Sequence, residues 1–81
     1  MINIFTTSSC PRCKLLEAYL ADHKIPHFSK GVDEEALTDM RIAGYFKLEC
    51  PIIEPYPGEY HGPDEFFEGM VLDEDKLREL I

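Results

Sequence analysis

Two cysteines separated by two residues, Cys10-Pro11-Arg12-Cys13, carry the clearest chemistry in this 81-residue chain. Such a pair can cycle between a dithiol and a small-loop disulfide, or supply two thiolates to a metal. Placement separates the two uses. At the N-terminus of a helix, unpaired N–H groups and the helix dipole favour an anion. A cysteine there becomes a thiolate more readily than a free thiol, whose pKa is roughly 8.5. The spacing therefore predicts Cys10 as the more exposed, attacking thiol. Cys13, one turn inward, is the resolving thiol, and Arg12 and Lys14 add positive charge beside the pair. A metal site would need more ligands. There is no second Cys-x-x-Cys, so four ligands would have to include Cys50 and a histidine, or come from a second subunit.

The remaining reactive side chains are few. Cys50, just before Pro51, reads either as a small apolar filler or as a third functional thiol. Three cysteines are an odd number and make no disulfide scaffold; in this setting they place the chain in a reducing compartment, the cytoplasm. His23 falls at a helix end and His27 on a strand face, whereas His61, near a hairpin end, is the histidine best placed for a ligand contact.

Composition narrows the class. The chain is 44% hydrophobic and 30% charged, the balance of a soluble globular protein. Its length suits one domain, residues 1–81, burying roughly 60% of the unfolded surface. No run approaches a membrane span, and the apolar start, Met1 to Phe5, reads as a strand and not as an export signal. The formal charge is −8. Residues 1–53 hold six bases against seven acids, and residues 54–81 two against nine. An acidic chain without a basic stripe argues against nucleic acid as a partner, and the acidic half reads as a solvated surface. The chain is expected to be a monomer.

The elements that must position the cysteines follow from pattern. Ile2–Thr6 is β-branched and partly alternating, a strand. Thr7-Ser8-Ser9 is a small polar loop of the capping kind, and Pro11 suits the first helical turn. Leu15, Leu16, Tyr19 and Leu20 then mark one helix face as far as about His23. Residues 25–30 read as a second strand broken by Gly31. Asp33 caps a second helix with Leu37, Met40 and Gly44 on one face. Residues 50–54 form a third strand, Tyr56-Pro57-Gly58-Glu59 a type II turn, and residues 59–61 a returning fourth strand. Tyr56 and Tyr60, flanking that turn, are expected to cover the core. Residues 64–69 read as a short helical turn, and Asp73 caps a last helix with Leu77, Leu80 and Ile81 facing inward. The order βαβαββα predicts a four-stranded mixed sheet with helices on both faces.

In these residues the chain resembles the glutaredoxin family of the thioredoxin-like superfamily over nearly its whole length. Thr6 to Cys13 is similar to that family's strand–loop–helix ending in Cys-Pro-x-Cys. Cys50-Pro51 stands where the family has a cis-proline, and His61-Gly62-Pro63-Asp64 falls on its Gly-Gly-x-Asp turn. The resemblance implies a thioredoxin-like fold and a dithiol–disulfide oxidoreductase without a tightly bound cofactor. The implied reductant is glutathione, another low-molecular-weight thiol or a thioredoxin-reductase-type donor, and the implied partner a disulfide-containing protein. The groove would be built from Pro11, Arg12, Cys50, Pro51, Gly62 and Asp64, with the Cys50 backbone pairing to a bound peptide and Asp64 meeting the glutathione amino group. The chain departs from the pattern at Arg12, Thr7, His61 and Cys50, where the family usually has an aromatic residue, a base, a glycine, and Val or Thr. Arg12, Lys14, Arg41 and Lys47 are the bases available for a glutathione carboxylate. The resemblance leaves one alternative, a metal or iron–sulfur carrier using Cys10 with glutathione, or Cys10 with Cys13 and Cys50.

Overall fold

The computed structural model describes residues 2–47 and 49–81. Its elements run β1 (Ile2–Thr6), α1 (Pro11–Asp22), β2 (His27–Gly31), α2 (Glu34–Ile42), β3 (Ile52–Tyr56), β4 (Glu59–His61), a 3-10 turn (Pro63–Glu65), β5 (Phe67–Glu68), β6 (Val71–Leu72) and α3 (Glu74–Leu80). Four strands make a mixed sheet in the order β2-β1-β3-β4. β1 runs parallel to β2, with Ile2 opposite His27, and antiparallel to β3, with Ile4 opposite Ile53. This is an α/β fold, and the expected four-stranded mixed sheet is present.

Alternation along the strands divides the interior into two layers. Ile2, Ile4 and Ile53 pack with Leu16, Tyr19 and Leu20 of α1, Leu77 of α3, and Phe66 and Phe67. On the opposite face Phe5 and Ile52 pack with Ala36 and Met40 of α2. Ile4, Leu16, Ile53, Phe66 and Leu77 are wholly buried. Each such side chain contributes about 1.5–3 kcal/mol of burial. Arg78 Nε donates to the Tyr19 hydroxyl at 2.9 Å, tying α3 to α1. On the α2 face, Asn3 Nδ2 donates to Glu54 Oε1 at 3.0 Å, directly across the β1–β3 ladder.

The helices begin as their sequences indicate. Asp33 accepts from the Ala36 N–H at 2.8 Å, and Asp73 from the Lys76 N–H at 3.2 Å. Acids fill the first turns of α2 (Glu34, Glu35) and α3 (Glu74, Asp75), where the dipole favours them. At the other end, α1 and α2 close with the same paired backbone bonds: Lys24 N–H to Ala21 and Ile25 N–H to Leu20, then Gly44 N–H to Arg41 and Tyr45 N–H to Met40. Gly44 therefore ends α2 and lies exposed instead of joining its inner face, which Ala36 and Met40 form. In α1 the closing position falls to Lys24, at φ 52.

Several expectations are corrected. Ile25 closes α1 and does not start the second strand, which runs instead from His27 and includes Gly31. Leu15 is largely exposed, because Cys13, Leu16 and Leu20 share the inward face at helical spacing. The third strand starts at Ile52, two residues after Cys50. Tyr56 is exposed, whereas Tyr60 does pack against the α2-side core. Residues 64–69 are not one helical turn. The 3-10 turn ends at Glu65, and Phe67–Glu68 pairs with Val71–Leu72 in a small ribbon. Its two-residue turn, Gly69-Met70, has Gly69 at φ 62, a conformation glycine adopts freely. The ribbon forms because Phe66 and Phe67 are drawn together into the core.

Candidate functional site

The β1–α1 loop delivers Cys10 to the N-cap position of α1. Its backbone is extended (φ −118, ψ 99), and its Sγ accepts the Cys13 N–H at 3.1 Å. The side-chain cap is thus this sulfur, where the preceding loop had suggested a hydroxyl. Pro11 follows at the first helical residue, where its missing N–H leaves no donor unmet. The turn Pro11-Arg12-Cys13 carries no acid, unlike the opening turns of α2 and α3. The place a carboxylate takes in those helices is taken here by a cysteine sulfur.

Cys10 and Cys13 lie at disulfide distance, with Cα atoms 5.2 Å apart. Both are buried in this state, Cys13 more so (3% exposed against 9%). Cys10, expected as the exposed thiol of the pair, is thus itself buried here, though less so than Cys13. Arg12 extends over the Phe67 ring, its guanidinium carbon 5.9 Å from the centroid, a cation–π contact joining the start of α1 to the β5–β6 ribbon.

Cys50 precedes a cis Cys50-Pro51 peptide, and Pro51 is fully buried. Cys50 is half-buried, and burial pushes its thiol pKa up. An open groove of about 360 Å³ runs past Cys10 and is lined by Thr7, Ser9, Pro11, Arg12, Cys50 and Met70. The structure therefore brings Pro11, Arg12 and Cys50 together around Cys10.

Gly62 and Asp64 do not line this groove. They form a separate corner beneath Tyr45. A Cβ on Gly62 would overlap the Tyr45 hydroxyl, so glycine is needed there for space. That hydroxyl is buried and without a hydrogen-bond partner among the described residues. Burial, reinforced by Asp64 and Glu65, pushes its pKa up to about 12. Asp64 pairs with Lys47 at 2.8 Å. The Lys47 hydrogen bond holds the Asp64 carboxyl below the usual range. Both partners are exposed, so the pair contributes little to stability.

His61 also lies outside the groove. Its Nδ1 meets Glu65 Oε1 at 2.9 Å and its Nε2 meets Glu59 Oε2 at 3.0 Å. Only the imidazolium has an N–H at both positions. Burial works against the charged ring, but the two carboxylates outweigh it and the pKa is raised. Glu65 Oε2 also accepts the Gly62 N–H at 3.2 Å, which makes His61 part of the turn's framework. His23 stacks on Tyr19 at the end of α1, and His27 Nδ1 contacts the Ile25 carbonyl at 2.9 Å.

Among the described residues, no group of three or more His, Cys, Asp or Glu side chains is disposed to hold a metal ion. No helix among them is long and apolar enough to cross a membrane. Sequence reasoning passed over two residues of this region, Met70 and Tyr45. Met70 could have been noticed as an apolar residue in a Gly-x turn, where polar residues are usual. Nothing local marks Tyr45. No family model, curated protein or solved structure matches the chain.

Proposed function

We propose that this chain is a glutaredoxin-like thiol–disulfide oxidoreductase with a thioredoxin-like fold, working on disulfide-containing proteins in a reducing cytoplasm. The observation that carries the reading is the Cys10 sulfur acting as the N-cap of α1, bonded to the Cys13 N–H at 3.1 Å. The open groove that Cys10 shares with Cys50 supports it, because it leaves room for a substrate beside the pair.

In the reduced protein the Cys10 thiolate attacks one sulfur of a substrate disulfide. An S–S bond forms to Cys10, the substrate S–S bond breaks, and one substrate thiol leaves. The Cys13 thiolate then attacks the Cys10 sulfur and expels the second substrate thiol. Two electrons have passed to the substrate, and Cys10–Cys13 is oxidised. Glutathione, another small thiol or a thioredoxin-reductase-type donor restores the dithiol. Pro11 fixes the helix start, Arg12 and Cys50 flank the approaching sulfur, and Pro51 anchors the Cys50 loop. Asp64, with Lys47, is offered as a contact for the charged end of a small thiol reductant.

The test is disulfide reduction with each donor supplied in turn. Wild type turns over with at least one of them, and Cys10→Ser is inactive with all. Full activity in Cys10→Ser would remove the assignment.

A further inference from the structure

The Gly69-Met70 turn of the β5–β6 ribbon is not explained by the fold. Gly69 supplies the positive φ that a two-residue hairpin turn needs at its first position. The second position ordinarily takes Asn, Asp or Ser, which hydrogen-bond locally and face water. Here it holds Met70, 53% exposed, followed by Val71, 69% exposed. Exposed apolar side chains in consecutive positions add nothing to the core. Met70 nonetheless lines the groove that holds Cys10 and Cys50.

The ribbon is also held firmly with respect to Cys10. Phe67 lies in the core against the Phe66 ring, with centroids 5.4 Å apart. Arg12, two residues from Cys10, caps the outer side of the Phe67 ring. The Asp73 N–H bonds the Phe66 carbonyl at 2.9 Å and closes the ribbon's base. Met70 is therefore a flexible thioether on a fixed support, well suited to packing against varied apolar shapes. The groove lining includes one charged side chain, Arg12, and no carboxylate, in a chain of net charge −8.

We infer that Met70 is a specificity-determining residue, and that the preferred substrates are peptide or protein disulfides with a bulky apolar residue next to the cysteine. The inference rests on the oxidoreductase reading above. As a substrate disulfide comes within reach of Cys10, the flanking side chain lies against Met70. Covering the exposed half of a methionine accelerates reaction about five- to tenfold over a substrate with a small polar neighbour.

The test is a single-turnover reaction of pre-reduced protein with two peptide disulfides that differ only in Leu or Ser beside the cysteine, following thiol release. Wild type favours the Leu peptide about five- to tenfold. Met70→Ser, a change the turn accommodates, brings the ratio close to one, and Met70→Leu keeps it. A wild-type ratio near one, or a preference that survives Met70→Ser, overturns the inference and leaves the oxidoreductase reading standing. If wild type reduces neither peptide nor any small disulfide, the reading beneath it falls as well.

Discussion

Replacing Gly62 with alanine isolates a contact on which the corner beside the site depends. Gly62 has φ −87 and ψ 173, a backbone any residue adopts, so its cost on substitution is one of space alone. An added Cβ would overlap the Tyr45 oxygen and come within 3.0 Å of an Asp64 oxygen, yet lie 3.6 Å from the ring carbon that bears the hydroxyl. Asp64 is exposed and can move aside, whereas Tyr45 packs against Tyr60, with centroids 6.0 Å apart. Gly62→Ala should then destabilise by about 1–3 kcal/mol, the range for overpacking. Tyr45→Phe should stabilise by about 1 kcal/mol, because it removes a buried hydroxyl without a partner. In the double variant the clashing oxygen is gone, and alanine should cost less than about 0.5 kcal/mol, a coupling of about 1–2 kcal/mol. Urea unfolding followed by circular dichroism, at fixed redox state, measures all four proteins. The single changes should also move Tm by about 4–8 °C per kcal/mol in a domain of this size. The reasoning is refuted if Gly62→Ala is neutral, or costs as much in the Tyr45→Phe background as alone.

Three further outcomes are expected. Lys24→Gly should raise stability by about 0.5–1 kcal/mol, because Lys24 holds a left-handed backbone at φ 52 that glycine adopts without strain; a loss in urea unfolding would contradict this. His61 has a folded pKa raised above 6.5, so its contribution is fully present below the unfolded value and is lost as pH rises through the folded one. The stability difference between wild type and His61→Gln should therefore shrink from pH 6 to pH 8, and a flat difference would refute the pairing with Glu59 and Glu65. Cys50→Val should leave the fold intact, because Cys50 is a half-buried thiol kept protonated by burial. Circular dichroism checks the fold, and an altered reduction potential in the same variant would show that Cys50 takes part in the chemistry.

What was legible in the sequence was what local chemistry decides. Asp33 and Asp73 announce helix starts because a carboxylate caps nearby N–H groups. Pro11 marks a first turn, and Gly58 sits where a type II turn demands it. The partial alternation of Ile2–Thr6 marked a strand, and which way each position faces came only with the two core layers, Ile2 and Ile4 in one and Phe5 in the other. The cysteine pair was legible for the same reason, since its strand, loop and helix are contiguous. The rest depends on distant partners. Two-residue strands carry no periodicity, so the β5–β6 ribbon follows from the burial of Phe66 and Phe67. Lys24 gives no local sign of a left-handed backbone, which the closing bonds of α1 impose. Gly62 is spaced for Tyr45, seventeen residues earlier in the chain, and Met70 reaches the groove only because the ribbon folds back toward Cys10.

The central claim is that Cys10 attacks and Cys13 resolves. The direct measurement is the intact mass of Cys13→Ser after reduction and exposure to a small disulfide, beside Cys10→Ser treated alike. The account predicts that Cys13→Ser gains one substrate half at Cys10 and holds it until an external thiol is added, while Cys10→Ser forms no such adduct at Cys13. A stable adduct on Cys13 in the Cys10→Ser protein, with none on Cys10 in its counterpart, would contradict it.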